Sequence, residues 1–119
     1  MMFSFPEYNW DVSKIDFMIN KIINLDRYDY PETDSNGSKI WKNKEGQVHR
    51  TDGPAIIYAD GTQVYYIEGQ WHRTDGPAVI YPDGTEFYLQ NGKRHRTDGP
   101  AVIESDGHEE YWKNGIQIK

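Results

Sequence analysis

The chain has 119 residues, 13 basic and 19 acidic side chains, a net charge of −6 and no cysteine. That is room for one modest core, with neither disulfides nor thiolate metal sites to support it. No apolar run is long enough to span a bilayer and no basic region precedes an apolar stretch at the N-terminus, so a cytoplasmic protein is expected. The balance is −4 over residues 1–37 and −2 over 38–119. It disfavours nucleic acid and anionic membranes as partners and suits a basic protein surface.

The first nine residues read as an arm, Met-Met-Phe-Ser-Phe, ended by Pro6. A helix is predicted over residues 12–26. Asp11 or Ser13 can cap it, and Ser13 with Asp16 forms a variant capping box. Val12, Ile15, Ile19, Ile22 and Ile23 recur at helical spacing, opposite Lys14, Asp16, Asn20 and Lys21. Its β-branched content is high, so docking rather than propensity would hold it. Residues 27–37 read as a linker ending in an Asn36-Gly37 turn.

From Ser38 onward the chain is periodic. His49-Arg50-Thr51-Asp52-Gly53-Pro54-Ala55 recurs from His72 and from His95, at steps of 23 residues. Asp-Gly recurs at 60–61, 83–84 and 106–107, and Glu-Gly or Asn-Gly at 45–46, 68–69, 91–92 and 114–115. These are hairpin signals, because Gly, Asn and Asp supply the positive φ of tight turns. Strands are predicted at 62–67, 85–90 and 108–113, and at 55–58, 78–81 and 101–104, all rich in Tyr, Val, Ile and Phe. The leading copy carries one extra residue before its second turn. The expected fold is mainly β with one N-terminal helix: an elongated antiparallel meander of stacked hairpins. It divides into an arm, helix and linker at 1–37 and a repeat array at 38–119. The helix is the cover expected for one face of the sheet.

At Asn91-Gly92-Lys93-Arg94-His95 and Tyr81-Pro82-Asp83-Gly84-Thr85 the sequence resembles the MORN repeat. Arg-Thr-Asp-Gly-Pro stands where that repeat has Gly-x-Gly, and its Tyr-x-Gly-x-Trp strand is missing. Over residues 36–119 the sequence resembles more closely the H-R-x-D-G-P-A repeats of proteins from large bacteriophages, giant viruses and some bacteria. The resemblance implies a MORN-like meander and a role in protein–protein contact. A phage-encoded inhibitor or adaptor acting on a host protein, in the host cytoplasm, follows as the functional expectation.

His49, His72 and His95, with Asp52, Asp75 and Asp98, invite a metal or catalytic reading. Regular stacking argues against it. Equivalent residues of neighbouring hairpins stand two strands apart, ~9–10 Å, whereas a zinc ion needs ligand nitrogens at ~2 Å. A structural role is expected instead, with Asp serving its turn and an arginine, and His packing on the next copy. No motif with a catalytic mechanism is present, so no enzyme activity, cofactor or metal is expected. The aromatics are the better candidates. Tyr65, Tyr66, Tyr88, Tyr111, Trp112 and Trp71 are expected to supply a protein-binding face, against the alternative of cross-strand ladders that stiffen the sheet. A second function class stays open, a cell-wall or glycan-binding aromatic repeat, on the strength of Asp60-Gly61-Thr62, Tyr65-Tyr66 and Gly69-Gln70-Trp71. Open sheet edges leave homodimerisation open as well.

Overall fold

Every described strand is two residues long, so pairing across many short strands, not strand length, makes the sheet. The computed structural model describes residues 30–119, within which Pro31–Lys119 is one unit. The arm and helix predicted at 1–9 and 12–26 lie outside the described residues.

The chain runs through β1 (Glu32–Thr33), β2 (Lys39–Ile40), β3 (Ile56–Ile57) and β4 (Gln63–Val64), then a side hairpin, β5 (Tyr66–Ile67) with β6 (Gln70–Trp71). It returns as β7 (Val79–Ile80) and β8 (Glu86–Phe87) and makes a second side hairpin, β9 (Leu89–Gln90) with β10 (Lys93–Arg94). β11 (Val102–Ile103) and β12 (Glu109–Glu110) follow, then a third hairpin, β13 (Trp112–Lys113) with β14 (Ile116–Gln117). The main sheet has eight antiparallel strands in the order β1-β2-β3-β4-β7-β8-β11-β12. The described protein is therefore mainly β and built of antiparallel hairpins.

Two expectations change. Residues 31–37, read as the end of a linker, belong to the array: Glu32 pairs with Ile40 and Thr33 with Lys39. The side chain of Asp34 shapes that hairpin, its Oδ1 accepting the N–H groups of Asn36 and Ser38 at 2.9 Å each. The segments 62–67, 85–90 and 108–113 each break at a tyrosine. Tyr65 donates its N–H to Ala78 O at 2.7 Å, and its carbonyl accepts the His72 N–H at 3.1 Å. One residue thus serves the main sheet on one side and the side hairpin on the other, and the strand turns there.

Residues directly opposite share a face, so the register sorts the side chains. One row reads Glu32, Ile40, Ile56, Val64, Val79, Phe87, Val102, Glu110. It is apolar throughout except at its ends, where a glutamate meets each sheet edge and discourages further pairing. The opposite row alternates apolar and polar: Lys39, Ile57, Gln63, Ile80, Glu86, Ile103, Glu109. Ala55, Ala78 and Ala101 are fully buried at 0% exposure, which leaves no space for a larger side chain.

Turn chemistry fixes the period. Glu68-Gly69, Asn91-Gly92 and Asn114-Gly115 all hold both central residues at positive φ, 49° and 81° in the first. That is the type I′ turn, whose twist matches a two-residue hairpin. The extra residue of the leading copy falls here. Its turn runs from Asn43 to Gln47, with the Asn43 side chain accepting the Glu45 and Gln47 N–H groups at 3.1 and 3.0 Å. Glu68 is the strained member of the series, because a left-handed conformation suits Asn far better than Glu. Glu68→Asn is expected to raise stability by about 0.5–1 kcal/mol, read as a higher thermal midpoint; an unchanged or lower midpoint contradicts the assignment.

Candidate functional site

The repeated motif is a clamp. In each copy the arginine Nε donates to the aspartate Oδ1: Arg50 to Asp52 at 3.0 Å, Arg73 to Asp75 at 2.9 Å, Arg96 to Asp98 at 3.1 Å. Its Nη1 donates to the proline carbonyl, Pro54, Pro77 or Pro100, at 3.1 Å. Its Cζ lies over an aromatic ring, Trp41 at 3.9 Å, Tyr65 at 4.0 Å or Tyr88 at 3.9 Å. The glycine leaves room for the guanidinium: a Cβ on Gly76 would meet Arg73 Cζ at 2.8 Å. A lone exposed Arg–Asp pair stabilises little, but a fork that also holds a carbonyl and stacks on a ring is geometrically fixed.

The histidine joins one copy to the next. His49 Nδ1 accepts the N–H of Glu68 at 2.9 Å, His72 that of Asn91 at 3.0 Å, and His95 that of Asn114 at 3.0 Å. Each donor is the positive-φ residue of the following side hairpin. The tip of that hairpin adds a second link, as Gly69, Gly92 and Gly115 donate to the carbonyls of Val48, Trp71 and Arg94. The three imidazoles therefore each serve a separate joint and do not gather. After the third copy the pattern changes. Ile118 stands where a histidine would fall and Lys119 where an arginine would, its Nζ 4.8 Å from the centre of the Tyr111 ring.

Between successive clamps lie two polar clefts. One, of about 430 Å³, is lined by Arg50, Asp52, His72, Arg73 and Asp75; the other, of about 300 Å³, repeats the arrangement from Arg73 to Asp98. Their charges are already matched by the arginine–aspartate pairs. Among the described residues, Glu104, His108 and Glu110 bring three possible ligand atoms within 4.8 Å of one another. Two of the three, His108 and Glu110, are bonded to each other. Glu110 Oε2 meets His108 Nε2 at 3.0 Å, and Glu110 Oε1 accepts the Trp112 Nε1–H at 2.8 Å with Arg94 Nη1 3.8 Å away. The hydrogen bond to Glu110 holds the His108 imidazole above its ordinary range, and the same bond, with that of Trp112, holds the Glu110 carboxyl below its own.

The aromatics divide between two places. Tyr65, Tyr88 and Tyr111 lie beneath Arg73, Arg96 and Lys119, on the clamp side. Trp112 is half-buried under Arg94. Tyr66 and Trp71 join Tyr58 and Tyr81 around a hollow of about 540 Å³. Val64 and Val79, from the apolar row, form its floor with the buried Thr62, and the exposed Asp60 lies at its rim. Tyr58, Trp71 and Tyr81 are 45%, 44% and 39% exposed. The Tyr66 and Trp71 ring centres are 6.2 Å apart, and burial pushes the Tyr66 phenol up, with Tyr58 adding to it. The Asp60 carboxyl is held below the usual carboxylate range by the Thr62 N–H, so it is ionised at neutral pH. The signal for Tyr58 and Tyr81 was in the sequence: both stand just ahead of an Asp-Gly turn, and the third copy has Glu104 there.

No family model, curated protein or solved structure matches the chain. Among the described residues no helix is long and apolar enough to cross a membrane.

Two measurements test this geometry. Gly76→Ala forces either overpacking or release of Arg73, and is expected to cost about 1–3 kcal/mol in chemical unfolding. In an Arg73→Ala background the same change is expected to cost less than half as much, because the obstructing guanidinium is gone; additive losses contradict the clamp. His108 stabilises the fold fully below its unfolded pKa, and loses that contribution as pH rises through its raised folded value. Glu110 contributes above its unfolded pKa and loses that as pH falls through its lowered folded value. In Glu110→Gln the His108 titration, followed by NMR, is expected to move to lower pH; no movement contradicts the pairing.

Proposed function

We propose that the array is a non-catalytic protein-binding module, a scaffold of MORN-like repeats that presents the Tyr58–Tyr81 hollow to a protein partner. One observation carries the reading: three large aromatics, about two-fifths exposed, surround a buried apolar floor on one face of the sheet. Exposed Tyr and Trp around a concave apolar centre are the residues that dominate interface energies. The clamp side is a poorer contact surface, since its rings and charges are already engaged with one another. The resemblance to H-R-x-D-G-P-A repeats extends the proposal to an inhibitor or adaptor that acts on a host protein. A glycan-binding role is the second reading, favoured by the tyrosines and tryptophan beside Asp60 and Thr62.

The test is affinity purification from a bacterial lysate with the intact chain beside a Tyr58→Ala/Tyr81→Ala variant of matched amide spectrum. A protein recovered in stoichiometric amount by the intact chain, and at least about tenfold less by the variant, is the expected result. Equal recovery by both, or none by either, contradicts it. Quenching of tryptophan emission by cell-wall fragments alone selects the glycan reading.

A further inference from the structure

Cations rest on aromatic rings along the whole clamp side, and on the apolar face Arg94 does the same. Its Cζ is 4.9 Å from the centre of the Trp112 ring and 5.5 Å from that of Phe87, with its Nη1 3.8 Å from Glu110 Oε1. The position is what gives this meaning. Arg94 falls 23 residues after Trp71, and Phe87 falls 23 after Val64. The place Arg94 occupies is therefore the repeat equivalent of Trp71, one of the rings that line the hollow between Tyr58 and Tyr81. In one repeat the chain fills that place with its own guanidinium, held between rings and beside a carboxylate. In the repeat before, Trp71 replaces the arginine, and neither Lys nor Arg lines the hollow.

The rings around Trp71 have the chemistry of a cation receptor. Tyr58, Tyr66, Trp71 and Tyr81 offer π faces, which attract a cation electrostatically, and Asp60 supplies a carboxylate at the rim. The floor of Val64 and Val79 suits the methylene stem of a long cationic side chain. The net charge of −6 favours approach by a basic segment. We propose that the hollow takes an arginine side chain presented by a basic segment of the partner protein, laid over its rings as Arg94 lies over Phe87 and Trp112. This inference rests on the protein-binding reading and names the chemistry of its partner.

The test uses the full chain and NMR signals of the Trp71 indole and of the Tyr58 and Tyr81 rings. The probes are a hexa-arginine peptide and its neutral hexa-citrulline counterpart, in buffer near physiological salt. The arginine peptide is expected to shift these signals saturably and to bind roughly tenfold more tightly than the citrulline peptide. Trp71→Arg, which supplies an internal guanidinium as Arg94 does, is expected to abolish the response. Tyr81→Ser, which leaves the charge unchanged, is expected to weaken it by a similar factor. Equal binding of the citrulline peptide, shifts confined to other parts of the molecule, or an undiminished response in both variants overturns the proposal. If the partner is captured from lysate through Tyr58 and Tyr81 while the arginine peptide leaves Trp71 untouched, the protein-binding reading stands and the arginine site falls.

Discussion

One backbone amide per repeat bonds to a side chain of the copy before it. It belongs to a residue held at positive φ in a tight turn, and it donates to the imidazole of the preceding copy. The bond requires Nδ1 to be free of a proton, which places the ring hydrogen on Nε2. The rest of the motif positions that imidazole. The arginine next to it is locked by an aspartate, a carbonyl and an aromatic ring, so the backbone that carries the histidine has little freedom. An eight-stranded sheet built of two-residue strands has few ladder bonds per strand, and these side-chain joints set the spacing that the short strands cannot.

The same device separates two surfaces. On the clamp side, the rings of Trp41, Tyr65 and Tyr88 each have an arginine over them, and the carboxylates are paired. On the other face, an apolar row runs from Ile40 to Val102, and Tyr58, Trp71 and Tyr81 stand around part of it half in water. The repeats are not interchangeable there. The column that holds Tyr58 and Tyr81 continues as Glu104, and the column that holds Val64 and Phe87 continues as Glu110. Scaffold residues repeat because each copy must solve the same packing problem. The residues around the hollow vary from copy to copy.

The array was legible in the sequence because its turns are chemically explicit. Asp-Gly, Asn-Gly and the fixed step of 23 located the hairpins from Ser38 onward and kept the histidines apart. The break at Tyr65, Tyr88 and Tyr111 was not legible. A run of β-prone residues looks the same whether its middle residue stays in one sheet or divides its N–H and carbonyl between two partners. The first hairpin escaped for the opposite reason: Glu32 and Thr33 are too polar and too few to read as a strand, and register alone makes them one. Of the aromatic candidates, Tyr66 and Trp71 reached the hollow, whereas Tyr65, Tyr88 and Tyr111 went beneath cations. Neighbours in sequence part in this way because alternate residues of a strand face opposite sides. The pairing of each arginine with an aspartate was expected, but its stacking was not, because that depends on a ring brought near by the fold, which no spacing within the motif records.

The joint between copies can be observed directly. In uniformly ¹⁵N-labelled protein at neutral pH, a scalar coupling across the hydrogen bond is expected between the Asn91 amide nitrogen and His72 Nδ1. The same coupling is expected for Glu68 with His49 and for Asn114 with His95, and all three rings should carry their proton on Nε2. Rings protonated on Nδ1, with no coupling to those amides, would contradict the account.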